Sequence, residues 1–148
     1  MISDTGESRM LFRSILLSSI FCLAVINPLR ADELKNFLLK FTDSRNYPYE
    51  LLDDEYRGFF LTGDQYMSLG KEDLKTLYEE QNKLMSDFTV DNFRILSRSD
   101  TTKLTSVTYE YKWNAKVGNT GMNGLIEVHS ILRKNEKGWT IIYDAVSQ

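Results

Sequence analysis

The 148-residue chain has one cysteine and one histidine, no surplus of basic charge and no apolar run long enough to cross a bilayer. Each shortage removes a class of function. Cys22 lies inside an N-terminal apolar stretch, so the rest of the chain has no thiol for a disulfide, a nucleophile or a soft metal ligand. A lone His129 leaves only a carboxylate-dominated metal site, and no ligand spacing supports one; neither a metal nor a cofactor is expected. Lys and Arg number 18 against 21 Asp and Glu and form no stripe, which argues against nucleic acid and anionic lipid as partners. Nor does any stretch match a Gly-rich phosphate cradle, a nucleophile elbow or a catalytic triad.

The N-terminus is of a different kind. Arg9 and Arg13 precede an apolar run from Ile15 to Ile26, and Pro28-Leu29-Arg30-Ala31 leads into acidic Asp32 and Glu33. That order is the order of a secretory signal peptide. The run has twelve residues, short of the ~20 that span a bilayer, which favours cleavage after Ala31 over a retained anchor. The initiator is Met1 or Met10, and either choice gives the same mature protein. The reading is a signal peptide over residues 1–31 and a single domain over 32–148, exported to the periplasm or the medium and free of the membrane once cut. Cleavage removes three basic residues from 18 and two acidic ones, Asp4 and Glu7, from 21, leaving 15 against 19. The mature length suffices for one core.

The most legible stretch runs from Leu104 to the C-terminus. From Thr105 to Val117 the chain alternates, with Val107, Tyr109, Tyr111, Trp113, Ala115 and Val117 on one face and Thr108, Glu110, Lys112, Asn114 and Lys116 on the other. This is a half-buried strand. Leu125 to Lys134 and Trp139 to Val146 predict two more, in an antiparallel meander. Taking Glu136, Lys137 and Gly138 as a three-residue loop places His129 opposite Ala145 and Ile131 opposite Tyr143. Trp139, starting the last strand beside this turn, is expected to anchor the sheet.

Upstream, Leu34, Phe37, Leu38 and Phe41 have the spacing of one helical face and predict a helix over 32–46. Pro48 opens a second, short helix ending near Asp53 and Asp54. Tyr56 to Leu61 and Gln65 to Leu69 flank the turn residues Thr62-Gly63-Asp64 as a small hairpin. Gly70 is an N-cap, with Glu72 and Asp73 in the first turn of a third helix reaching about Ser86. Phe88 to Arg98 changes face around Asp91-Asn92, as a bulged strand does. Helices first and strands afterwards mean α+β.

This order resembles the nuclear transport factor 2-like superfamily, and within it the SnoaL-like, ketosteroid-isomerase-like and kinase-association-domain-like branches. Leu51-Leu52-Asp53-Asp54 looks like that family's short-helix ending, Leu69 to Leu74 like the start of its third helix, and Gly138-Trp139-Thr140-Ile141-Ile142 with Ser147 like its last strand. The resemblance covers the whole mature chain. It implies a cone-shaped fold, also called cystatin-like, in which a curved antiparallel sheet wraps three N-terminal helices around a pocket, and a homodimer paired through the sheet's outer face. Two departures count against ketosteroid-type isomerisation. The last strand carries Tyr143-Asp144-Ala145 where the family often has His-x-His, and Phe59 stands roughly where isomerase members carry a base carboxylate.

By the same resemblance Glu127, His129 and Ile131 point into the cone, with Tyr143 on their face. A carboxylate two residues from an imidazole suits acid–base work, so His129, Glu127 and Tyr143 are the candidate catalytic residues; a hydrogen-bonded structural histidine is the plainer alternative. Tyr109, Tyr111, Trp113 and Ile131 are the candidate ligand-binding residues, although aromatic stripes also build cores and subunit interfaces. Asp53 and Asp54 are either pocket acids or a solvated pair. The expected function is binding of a small, largely apolar molecule, or service as an assembly module. A SnoaL-like isomerase, dehydratase or hydrolase using His129 with Glu127 is the alternative.

Overall fold

The computed structural model describes residues 28–136 and 138–148. The expected signal peptide therefore lies outside the described residues, except for Pro28 to Ala31, which form the first turn of helix α1 (Pro28–Leu39). Two compact units are distinguished, residues 1–34 and 35–148. The second holds the sheet and everything discussed below.

The helix predicted over 32–46 ends earlier, at Leu39, and a 3-10 turn follows at Ser44–Asn46, where the Asp43 carboxylate accepts from the Arg45 N–H. The short helix after Pro48 is a second 3-10 turn, Tyr49–Leu51, and Asp53 and Asp54 already belong to strand β1 (Leu52–Thr62). β2 (Gln65–Leu69) completes the hairpin. Helix α2 (Lys71–Leu84) begins where the sequence places it. Gly70 is its N-cap, the Gly70 N–H donates to the Asp73 carboxylate at 3.2 Å, and Leu74 is fully buried. Among the described residues no helix is long and apolar enough to cross a membrane.

Four long strands follow: β3 (Met85–Asp100), β4 (Leu104–Val117), β5 (Thr120–Asn135) and β6 (Gly138–Ser147). They form the expected meander. Within β3, Asp87 and Asn92 take positive φ of 51° and 54°, at two of the three places where the register to β4 slips. Asp and Asn tolerate this conformation better than other non-glycine residues, and the second slip is the face switch that Asp91-Asn92 announces.

The β5–β6 connection departs from expectation in an instructive way. Asn135 pairs with Gly138, which has φ 127°, so the loop is one residue shorter than the sequence suggests. A bulge between Ile141 and Tyr143 then restores the count, and His129 does face Ala145 and Ile131 does face Tyr143.

The sheet order is β2-β1-β6-β5-β4-β3, an open sheet with β2 and β3 at its edges. β1 runs parallel to β6, so the N-terminal hairpin extends the meander; every other pairing is antiparallel. One row across the inner face reads Gly58, Asp144, Ser130, Val107 from β1 to β4. Val107, Tyr109, Leu132 and Ile141 carry the core on this face. Trp139, half-buried, rests on Phe37 of α1 with ring centroids 5.6 Å apart, so it ties the last strand to the helix.

Candidate functional site

A cavity of about 540 Å³ opens between the inner face of the sheet and α2. Its walls are largely apolar and aromatic because three elements contribute their apolar faces. β4 supplies Tyr109, Tyr111 and Trp113 by its period of two, β5 supplies Ile126 and Val128, and α2 supplies Leu77 and Tyr78 by its helical period. Tyr47, held between the two 3-10 turns, packs edge-on against Tyr78 at 4.9 Å and closes one side. Leu84, Met122, Val117 and Met67 line the cavity and remain partly exposed, Leu84 at 68%.

One charge is buried in this wall. Asp144, on β6, is 4% exposed. It accepts hydrogen bonds from the Ser130 hydroxyl, directly across the strand pair, and from the Tyr56 hydroxyl at 3.1 Å. The Tyr56 bond depends on a missing side chain. Gly58 lies opposite Asp144 in the β1–β6 pair, and a Cβ there would stand 2.5 Å from the Tyr56 Oη and 2.6 Å from Phe60 Cε2. The glycine leaves the space through which the phenol reaches the carboxylate. The Tyr109 phenol lies near the same Ser130 and Asp144, so β1, β4, β5 and β6 meet in one polar cluster under the aromatic wall.

Burial pushes the Asp144 carboxyl up to about 6, while the Ser130 and Tyr56 hydrogen bonds pull the other way. The neighbouring phenols of Tyr47, Tyr56, Tyr78, Tyr109 and Tyr111 are all raised, first by burial; the charge of Asp144 adds to the effect on each. The cluster therefore presents neutral hydroxyls around one ionisable carboxyl.

The residues picked from sequence divide between the two sides of the sheet. Tyr109, Tyr111 and Trp113 line the cavity; Glu127, His129, Ile131 and Tyr143 share a face, as expected, but that face is the outer one, and the expectation that they point into the cone is corrected. Polarity decides it. Ile126, Val128, Ser130 and Leu132 are buried while Glu127 and Arg133 are exposed, so the alternate set turns outward. His129 is held there by two hydroxyls, Thr108 Oγ1 at 2.9 Å from Nδ1 and Ser106 Oγ at 3.4 Å from Nε2. Tyr143 lies 5.4 Å from the Phe59 ring. Among the described residues no hydrogen bond joins Glu127 to His129, and Glu127 faces Glu110, which is itself paired with Arg94. Asp53 and Asp54 are likewise outside the cavity, beside Arg133 and Lys71.

Asp144 was within reach of the sequence. The register that sets His129 against Ala145 sets Ser130 against Asp144, on the side of β5 that carries Ile126, Val128 and Leu132. A carboxylate on an apolar face, opposite a serine, is the signal. Among the described residues no group of His, Cys, Asp and Glu is arranged to hold a metal ion.

No family model matches the sequence, and no curated protein is similar to it. Solved structures are. A ketosteroid isomerase-like protein from Erwinia carotovora atroseptica superposes with a TM-score of 0.55 at 17% identity, over 84% of this chain and 94% of that one. A candidate dehydratase of the nuclear transport factor 2-like family from Streptomyces avermitilis gives 0.55 at 14%, over 78% and 91%. A protein of that family from Pseudomonas putida, of unknown function, gives 0.56 at 13%, over 82% and 87%. At these identities the likeness speaks for the fold, and with the helix order, the open curved sheet and the cavity under α2 it shows that the chain has the α+β fold of the nuclear transport factor 2-like superfamily.

Proposed function

We propose that this chain binds a small, largely apolar molecule in the cavity under α2. The observation that carries the reading is the cavity itself: about 540 Å³ of mostly apolar and aromatic wall with one convergent polar cluster. That is the ordinary make-up of a small-molecule site, where apolar area supplies affinity and a few polar groups set orientation. The test uses anthracenylmethanol, a neutral fluorescent probe. Val146→Trp, which places an indole in the cavity from β6, is expected to weaken binding by about tenfold or more, the scale set by excluding a bound ring from its apolar contacts. His129→Gln, on the outer face, is expected to leave the affinity unchanged. Equal binding by wild type and Val146→Trp sinks the reading.

A second reading, proton transfer to or from the bound molecule, is favoured by the Asp144 carboxyl, held near 6 within the cavity wall. Conversion of a ligand that is lost in Asp144→Asn with binding retained is its signature. The alternative built on His129 with Glu127 has no support from their placement on the outer face.

We also propose export, with residues 1–31 removed. The charged flank and short apolar run support it. Mass spectrometry of the protein from its host is expected to find Asp32 at the N-terminus; an intact Met1 or Met10 species in the cytoplasm overturns it.

A further inference from the structure

The charges around the cavity are of one sign. Among the described residues that line it there are two acids, Asp144 and Glu80, and no Lys, Arg or His. Glu80 is exposed and already carries a partner, the Lys83 ammonium at 2.6 Å. Arg45, the cation close by, lies over the Phe88 ring at 5.6 Å but is tied to Asp43 by 2.9 and 3.1 Å hydrogen bonds. Asp144 is left as a buried carboxylate whose two donors, Ser130 and Tyr56, are both neutral hydroxyls. A buried charge is ordinarily paired with an opposite one, because hydroxyl donors alone recover only part of its lost hydration. The rings of Tyr109, Tyr111 and Trp113 line the same cavity, and their faces attract a cation.

Resting on the binding reading above, we propose that the ligand is a hydrophobic amine, bound with its protonated nitrogen at Asp144 and its apolar body against the tyrosine and tryptophan rings. An acidic ligand of the same shape is repelled, since nothing in the wall neutralises it. A neutral alcohol fits but forgoes the charge-assisted hydrogen bond, which is about twice as strong as a neutral one.

The groups facing Asp144 are Tyr56 on β1, Tyr109 and Tyr111 on β4, Ser130 on β5, Tyr78 on α2 and Tyr47 beside the 3-10 turns. Burial keeps each of these phenols neutral through neutral pH. Any change in amine preference between pH 5 and 7.5 then reports on Asp144.

The experiment compares anthracenylmethylamine with anthracenylmethanol on the full chain by fluorescence titration. At pH 7.5 the amine is expected to bind about tenfold tighter, the gap between a charge-assisted and a neutral hydrogen bond. That ratio is expected to shrink towards one at pH 5, and to be near one in Asp144→Asn at either pH. Equal affinity for the two probes at pH 7.5 overturns the amine assignment and leaves the binding reading standing. Failure of both probes to bind overturns the binding reading with it. A ratio that survives in Asp144→Asn removes Asp144 as the counter-charge. Should that variant not fold, the wild-type pH series decides alone: a flat ratio overturns the proposal and a falling one supports it.

Discussion

Asp144→Asn is expected to be more stable than the wild type at pH 7, by about 2 kcal/mol, and to lose a pH dependence that the wild type shows between pH 4 and 7. The carboxyl sits at about 6 in the folded protein against 3.8 when exposed. Its folded pKa is raised, so the native state holds the proton in a range where the unfolded chain has released it. Stability from this group is therefore fully present below pH 3.8 and is lost as pH rises through 6. A difference of roughly two pKa units corresponds to about 3 kcal/mol. An amide needs no desolvation of charge, but the charge-assisted hydrogen bonds from Ser130 and Tyr56 both become neutral ones, at a combined cost of about 1 kcal/mol. The difference is the predicted gain. Urea unfolding of both proteins at pH 4.5 and pH 7.5 measures it, and a variant less stable at both pH values would show that the carboxylate is better compensated than Ser130 and Tyr56 can explain. A side chain kept at a standing cost to stability, in the wall of a cavity, is what a ligand-facing group looks like. A cationic ligand relieves that cost, so it is expected to stabilise the wild type more than the amide variant.

Gly58→Ala is expected to cost about 3–5 kcal/mol, a large share of the ~5–15 available to a domain. The cause is space. The new methyl would stand 2.5 Å from the Tyr56 Oη and 2.6 Å from a Phe60 ring carbon. Tyr56 is 1% exposed and Phe60 9%, so neither ring can turn into solvent. Overpacking of this kind costs about 1–3 kcal/mol. Moving the phenol also takes a donor from a buried carboxylate, worth another ~1.5–3 kcal/mol. Chemical unfolding measures the sum, and the Tyr56→Phe background separates its parts, because there the hydrogen bond is already gone and only the crowding remains. A Gly58→Ala protein with a wild-type transition would mean that β1 can shift relative to β6 at no cost, and the role given to Gly58 would fall.

The same strand pair explains which parts of the molecule could be read beforehand. Strand β4 was legible residue by residue, because alternation over Thr105 to Val117 depends only on the chain's own period and on which side meets water. The bulge at Asp91-Asn92 and the Gly70 cap are local events and were equally visible. The face of β5 was legible too. Ile126, Val128 and Leu132 against Glu127, His129 and Arg133 name the inner side, and only the resemblance to acid–base members of the fold favoured the outer set.

What the amino-acid order determined by itself, then, is the set of elements, the two faces of each strand and the pairing of neighbours joined by short turns, since these follow from period and turn chemistry within a few residues. The tertiary structure decided the rest of the site. That β1 adds in parallel to β6, with Gly58 facing Asp144 across a separation of 86 positions, depends on how a remote hairpin closes on the meander, and no local pattern encodes such a contact. Only when that edge is joined does Tyr56 reach Asp144, and only when α2 covers the row does the carboxylate lose water and come to need a partner.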